Sequence, residues 1–322
     1  MTDASRSGVL CIGGAAIDLG LRLRAPTILG TSNLADAASS FGGVARNVAE
    51  LLARFGVETA LLSAVGDDAA GSELLAHLRT NGVDTSRSFA VPGGETARYI
   101  AVLDEAGELV IGVNAMQVSA AVTAERIHST DLGVAGWLFA ECNLDPAAIA
   151  AVLQRRRENP ELRLAIDTIS VPKVARLPRD LAGIDLLFTN VDEANALLGS
   201  DEPRSRDGGL ALSAALRDRG INSVVVTLGD RGHVARSPDG AWWSGSVAAE
   251  VVDVTGAGDA LIAGTLAGIQ RGLDLATASR DGALAAALTA ESPHVAPPDL
   301  TRDRIDAVRT RLHSTPTEGP FT

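Results

Sequence analysis

The strongest constraint in this chain is the alternation of short apolar runs with segments of helical period. Val9 to Ile12 is apolar and is stopped by Gly13-Gly14. Val44, Val48, Leu51, Leu52 and Phe55 then fall at helical spacing, with Gly56 as the stop. The pattern recurs. It predicts strands at 59–65, 137–140, 162–166, 186–189 and 223–228, and helices at 68–81, 146–156, 192–198, 209–219, 258–269 and 275–290. Short apolar runs alternating with helices are strands buried on both faces. They predict an α/β domain with a doubly wound, mostly parallel sheet flanked by helices. Two segments do not fit that layer. Residues 98–103 and 108–111 flank the turn Asp104-Glu105-Ala106-Gly107 and read as a β-hairpin. Residues 20–38 are too polar for a core strand. Together these stretches, about 19–39 and 96–117, predict a small β-sheet accessory or lid. A second hairpin is predicted at 233–246. His313 to Thr322, rich in Pro, Thr and Gly, is expected to be a loose tail. There is no internal repeat and no interdomain linker, so 1–322 reads as one domain.

Composition narrows the function. The chain has 322 residues and 46% hydrophobic content, enough to bury a large core. A net charge of −12 argues against a nucleic-acid or anionic-membrane partner. Two cysteines give no disulfide framework. No apolar run reaches membrane-spanning length, and the start, with Asp3 and no basic leader, reads as no signal peptide. A cytoplasmic protein is expected. The single lysine, Lys173, lies in Ser170-Val171-Pro172-Lys173-Val174, which excludes a Walker A loop. There is no G-x-G-x-x-G fingerprint, and the histidines lack zinc-site spacing.

Chemistry is expected at the carboxyl ends of the strands. Asp253-Val254-Thr255-Gly256-Ala257-Gly258-Asp259 opens an apolar helix. A glycine turn entering a helix offers free N–H groups and the positive end of the dipole, an anion hole. Asp259 beside it suits a general base; a glycine turn with a helix-stabilising aspartate fits equally well. Gly42 and Gly43 precede a helix carrying Asn47, which matches a sugar hydroxyl or an ordinary helix start. Asp18 closes the loop after the first strand, as a hydroxyl partner or a turn residue. Asn190-Val191-Asp192-Glu193 places an amide and an acid three residues apart, for water around Mg²⁺ or for a capping box. Thr227-Leu228-Gly229-Asp230-Arg231-Gly232 makes a tight turn that borders a nucleotide or simply closes a hairpin. The combination reads as phosphoryl transfer to a hydroxyl without a P-loop.

These motifs, in this order, resemble the PfkB/ribokinase family of carbohydrate and nucleoside kinases over nearly the whole chain. Gly42 to Asn47 is similar to the family's N-terminal signature, Asp253 to Gly264 to its C-terminal signature, and Asn190 to Glu193 to its N-x-x-E motif. The resemblance implies a ribokinase-like fold using ATP, Mg²⁺ and K⁺. It implies Asp259 as base, and Gly256, Ala257 and Gly258 as the anion hole. It implies Asp18, Gly42, Gly43 and Asn47 on the sugar, and Asn190 and Glu193 on Mg²⁺ through water. Asn190, Thr227, Gly229, Gly232, Gly256 and Gly258 would face the nucleotide, and Asp253 and Thr255 the K⁺. Within the family, segments 91–99, 112–116, 140–144 and 167–173 resemble the pseudouridine kinases. That likeness implies phosphorylation of a nucleoside 5′-hydroxyl. Thr96, Asn114, Met116, Asn143 and Lys173 would then lie around the base. A ribokinase-like sugar kinase is the alternative, and a catalytically silent ligand sensor ranks below it. Lids in this family often pair, which implies a homodimer.

Overall fold

The computed structural model describes residues 7–321. The N-terminal reading at residues 1–6, and Thr322, lie outside the described residues. Along the chain the elements are β1 (Gly8–Ile12), β2 (Ala16–Leu23), β3 (Ala35–Gly42), α1 (Val44–Arg54), β4 (Thr59–Leu62), β5 (Ala64–Gly66), α2 (Ala69–Thr80), β6 (Val83–Asp84), β7 (Phe89–Val91), β8 (Ala97–Leu103), β9 (Leu109–Ala115), α3 (Ala124–Ser129), β10 (Ala135–Glu141), α4 (Pro146–Glu158), β11 (Arg163–Asp167), β12 (Leu186–Asn190), α5 (Val191–Leu198), α6 (Arg206–Asp218), β13 (Ser223–Thr227), β14 (His233–Ser237), β15 (Gly240–Ser244), α7 (Ala257–Gln270), α8 (Leu275–Ala290), α9 (Arg302–Ala307) and β16 (Thr317–Phe321).

Ten strands form the central sheet, in the order β16-β15-β14-β13-β12-β11-β10-β1-β4-β6. The seven from β13 to β6 are parallel, and β14, β15 and β16 continue the sheet antiparallel. Side-chain alternation along the parallel strands divides the core in two. Val9 and Cys11 of β1 join one cluster with α1, α7 and α8, while Leu10 and Ile12 join the other with α4 and α6. The middle of each of these strands is therefore apolar on both faces, as read from the sequence. Strand order reverses between β1 and β10, where an α/β sheet opens a crevice at its carboxyl edge.

A separate four-stranded sheet has the order β3-β2-β8-β9. It contains the hairpin predicted at 98–111 and the polar stretch near 20–38. That stretch contributes β2 and β3 to the expected small sheet, as half-solvated rather than core strands. The strand predicted at 59–65 is broken at Ser63, with β5 leaving the main sheet to pair with β7.

The expected loose tail is corrected. Thr317–Phe321 pairs with β15 at the edge of the main sheet, with Ser244 opposite Thr317 and Ala241 opposite Phe321. Its composition concealed this, since Pro320 is tolerated only on an edge strand. No helix among the described residues is long and apolar enough to cross a membrane.

Candidate active site

Four parallel strands and two helix N-termini converge on the crevice. Helix α7 begins after Gly256, whose φ of 80° is left-handed. A Cβ there would meet the Val295 carbonyl oxygen at 2.4 Å. The turn therefore requires glycine. No side chain caps α7. The first-turn N–H groups of Gly258 and Asp259 are thus left for a ligand. Gly258 has nothing within 4 Å of where its Cβ would stand.

Asp259 is 9% exposed and receives a hydrogen bond from Asn47 Nδ2 at 2.5 Å. Burial pushes its carboxyl up to about 7, opposed by the Asn47 hydrogen bond and the Arg46 charge. A carboxyl raised toward neutrality suits a general base. Asn47 is presented by α1, whose N-cap Gly43 has φ 92°. A Cβ on Gly43 would meet the Gly14 carbonyl oxygen at 2.4 Å, so this glycine lets α1 dock on the loop after β1. Gly42 is equally constrained, since its Cβ would lie 2.2 Å from Asp18 Oδ2. Asp18, on β2, is half-buried, and burial raises its carboxyl above the usual range against the pull of Arg46.

At the end of β10 the fully buried Glu141 accepts the Gly14 N–H at 2.7 Å and the Asn143 N–H at 2.5 Å. It clamps the loop leading to Asp18. The Asn143 side-chain oxygen accepts from Lys173 Nζ. Burial lowers the Lys173 ammonium, while Glu141 opposes the shift. On β11, Asp167 is pushed well above the carboxylate range by burial and by Glu193, Asp259 and Glu141 nearby.

The residues expected on the lid separate. Asp18, Tyr99 and Asn114 are register neighbours across β2, β8 and β9, and so share one face of the small sheet. Met116 is half-buried and packs against the core. Thr96 is corrected. It is 2% exposed, and its hydroxyl donates to Asp68 Oδ1 at 2.5 Å and accepts the Gly66 N–H at 3.1 Å. It pins the start of α2 and offers no free group.

Asn190 and Glu193 form a complete capping box. Asn190 Oδ1 accepts the Glu193 N–H at 2.9 Å, and Glu193 Oε2 accepts the Asn190 N–H at 3.1 Å. Glu193 also receives the Thr168 hydroxyl and the Asn190 amide. Among the described residues no cluster of three or more acids, histidines or cysteines could hold a metal by itself. Asp253 accepts both the N–H and the hydroxyl of Thr255, at 2.8 and 2.7 Å, and both residues are exposed.

Beside the anion hole runs a groove of about 710 Å³, lined by Thr227, Gly229 and Gly232 on one side and by Val251, Val254, Ala257 and Gly258 on the other. Val251 and Val254 are 63% and 68% exposed, so the groove wall is apolar and open. That suits a flat heterocycle with its phosphates running toward Gly258. A depression of about 450 Å³ at the amino ends of the strands is lined by Arg156 and Asp185, which neutralise each other at 2.7 Å.

Sequence reasoning passed over Arg46, Glu50 and Asp167. Arg46 and Glu50 stand on the helical face opposite Val44, Val48 and Leu52, where an i, i+4 pair reads as solvated. In the fold α1 is sandwiched between the sheet and α7, so the pair is 2% and 1% exposed.

Residues 6–302 match the model of the pfkB family carbohydrate kinases. The chain belongs to that family. Across this pfkB chain, 259 residues are 33% identical to the pseudouridine kinase of Escherichia coli K12, covering 80% of the chain and 82% of the relative. A carbohydrate kinase structure from Agrobacterium tumefaciens superposes with a TM-score of 0.83 at 32% identity, covering 97% and 99% of the two chains. The ribokinase of Thermotoga maritima shares the fold, with a TM-score of 0.77 at 19% identity over 94% and 99% of the chains. The pfkB chain therefore has a ribokinase-like α/β fold with a small separate sheet, and is a sugar or nucleoside kinase.

Proposed function

We propose that this protein is an ATP-dependent kinase that transfers the γ-phosphate to the 5′-hydroxyl of a nucleoside, pseudouridine foremost. The observation that carries the reading is Asp259, buried and tuned to about 7, in the same helical turn as an uncapped anion hole. Asp18, with Gly42 leaving room beside it, and Asn47 hold the sugar. Asp259 takes the proton of the 5′-hydroxyl. The freed oxygen pair forms a bond to the γ-phosphorus while the bond to the β-phosphate bridge oxygen breaks, and ADP leaves. The uncapped turn at Gly256, Ala257 and Gly258 receives the growing charge through the Gly258 and Asp259 N–H groups, while the Ala257 N–H is given to the Val254 carbonyl at 3.2 Å.

The donor set fits Mg²⁺ held through water. Glu193 and Asn190 are committed to each other and no protein cage exists among the described residues, while the crowded Asp167 and Glu193 carboxylates favour a cation. When bound, Mg²⁺ would neutralise phosphate charge. Asp253, Thr255 and the neighbouring loop 290–294 form the region for K⁺. The small sheet acts as a lid that excludes water, and its exposed β9 is the surface for a homodimer. A cytoplasmic setting, where ATP is available, completes the reading.

The uracil-like base is read by Lys173 and Asn143 at the strand ends, with Asn114 from the lid. Similarity to the Escherichia coli pseudouridine kinase supports this choice. A sugar-phosphate acceptor ranks lower, because it needs a cationic cluster, and of Arg22, Arg24 and Arg98 two are engaged. Arg22 is spent on the Glu105 carbonyl at 2.8 Å, and Arg24 pairs with Asp36. The test is ATP-dependent phosphorylation of pseudouridine, uridine, adenosine, ribose and fructose 6-phosphate with Mg²⁺ and with or without K⁺. The reading expects pseudouridine to lead uridine by about tenfold or more in kcat/KM. A lead for ribose would replace the nucleoside acceptor with a sugar.

A further inference from the structure

Arg46 is a fully buried guanidinium in the wall of the crevice, and the mechanism above does not use it. It is 2% exposed. Its Nη1 donates to Glu50 Oε2 at 2.6 Å and its Nε to the Gly42 carbonyl at 3.2 Å. Its Nη2 donates to the Phe41 carbonyl and to Asn47 Oδ1. Glu50 is itself fixed by Arg54 at 2.6 Å and His77 at 3.0 Å. Such a guanidinium has little freedom to move.

An asparagine amide can present either its oxygen or its NH₂ to a neighbour. Arginine is donor-only, so only the amide oxygen, as acceptor, can face it. With Oδ1 turned to Arg46, Nδ2 must face Asp259, and it does so at 2.5 Å. An N–H facing the carboxyl stabilises the ionised form. A flipped amide would present its oxygen and stabilise the protonated acid instead.

We propose that Arg46 is a positioning residue for the general base. Braced by Glu50, it locks the Asn47 amide in the orientation that keeps Asp259 ready to accept a proton. The proposal rests on the reading of Asp259 as that base. The groups facing Asp259 are Arg46 and Asn47 from α1, Asp18 from β2, Glu141 from β10 and Asp167 from β11. Asp18 and Glu141 raise the proton affinity of Asp259, and Asp259 in turn raises that of Asp167. Arg46 supplies the opposing positive charge as well as the lock.

The test is the pH dependence of the single-turnover rate with ATP and the preferred acceptor. Four variants are compared with the wild type: Asn47→Ala, Arg46→Lys, the double variant Arg46→Met with Glu50→Gln, and Asp259→Asn. The double variant neutralises both partners, so no buried charge is orphaned, and thermal melts check that each variant folds. The expected result is an acidic limb displaced upward by about one pH unit in the double variant. The rate then falls about fivefold at pH 7 and recovers by pH 9. Asn47→Ala should move the limb the same way and leave the buried ion pair intact. Arg46→Lys, which keeps the charge but not the fork, should fall between. A folded double variant, or an Asn47→Ala enzyme, with an unmoved limb would overturn the proposal. Full turnover in Asp259→Asn would instead overturn the reading of the base itself.

Discussion

Asn47 on α1 donates its amide to Asp259 on α7 at 2.5 Å, joining residues 212 positions apart. On the proposed reading the contact ties the sugar side of the crevice to the anion hole, and one bond would position both the base and the acceptor. It also opposes the burial that brings the Asp259 carboxyl to about 7.

The first expectation concerns pH. The base acts ionised, so kcat/KM should rise through about pH 7 and level off above it. The same shift has a stability cost. A carboxyl raised in the folded state supports folding fully below its unfolded value near 3.9, and that support is lost as pH climbs through about 7. Asp259→Asn should therefore raise stability at pH 8 by an amount on the order of a few kcal/mol, seen as a higher Tm, and leave Tm nearly unchanged at pH 4. Melts at the two pH values check the sign.

Gly42 gives a second expectation. A Cβ would lie 2.2 Å from the Asp18 carboxylate, which must then swing away. Gly42→Ala should lower kcat/KM for the acceptor by about tenfold or more, with ATP binding unchanged by calorimetry.

The two glycines of the anion hole should behave differently. Gly258 has open space at its Cβ position, so Gly258→Val should fold normally and lose ATP affinity. Gly256 has φ 80° and the Val295 carbonyl at 2.4 Å, so Gly256→Ala should lower Tm, by roughly 1–3 kcal/mol of stability. Equilibrium unfolding and nucleotide titration separate the two.

Lys173 and Asn143 carry the expectation about selectivity. Lys173→Met removes the ammonium that meets Asn143 Oδ1. The preference for a nucleoside over ribose should fall by about tenfold, with ribose turnover little altered, as measured by kcat/KM for each acceptor.

Much of this was legible in the sequence. The parallel sheet was readable because β1, β10, β12 and β13 are buried on both faces and so carry apolar runs, with polar residues confined to their ends. The turn entering α7 was readable because Gly256 is demanded by backbone geometry. Other features depend on contacts distant in sequence. β16 was hidden because an edge strand tolerates proline and polar residues. Thr96 was misassigned because its partner Asp68 sits across a turn of the fold. Arg46 and Glu50 were invisible because only the docking of α7 buries the second face of α1.

The central claim is that Asp259 is the base of a kinase. The most direct measurement compares wild type and Asp259→Asn for ATP-dependent phosphorylation of pseudouridine, with ATP and nucleoside affinities determined by calorimetry on both. The account predicts a loss of turnover of about 10³-fold or more with affinities nearly unchanged. Turnover within a few-fold of wild type would contradict it, and absence of turnover in both proteins with ligand binding retained would mark a ligand sensor.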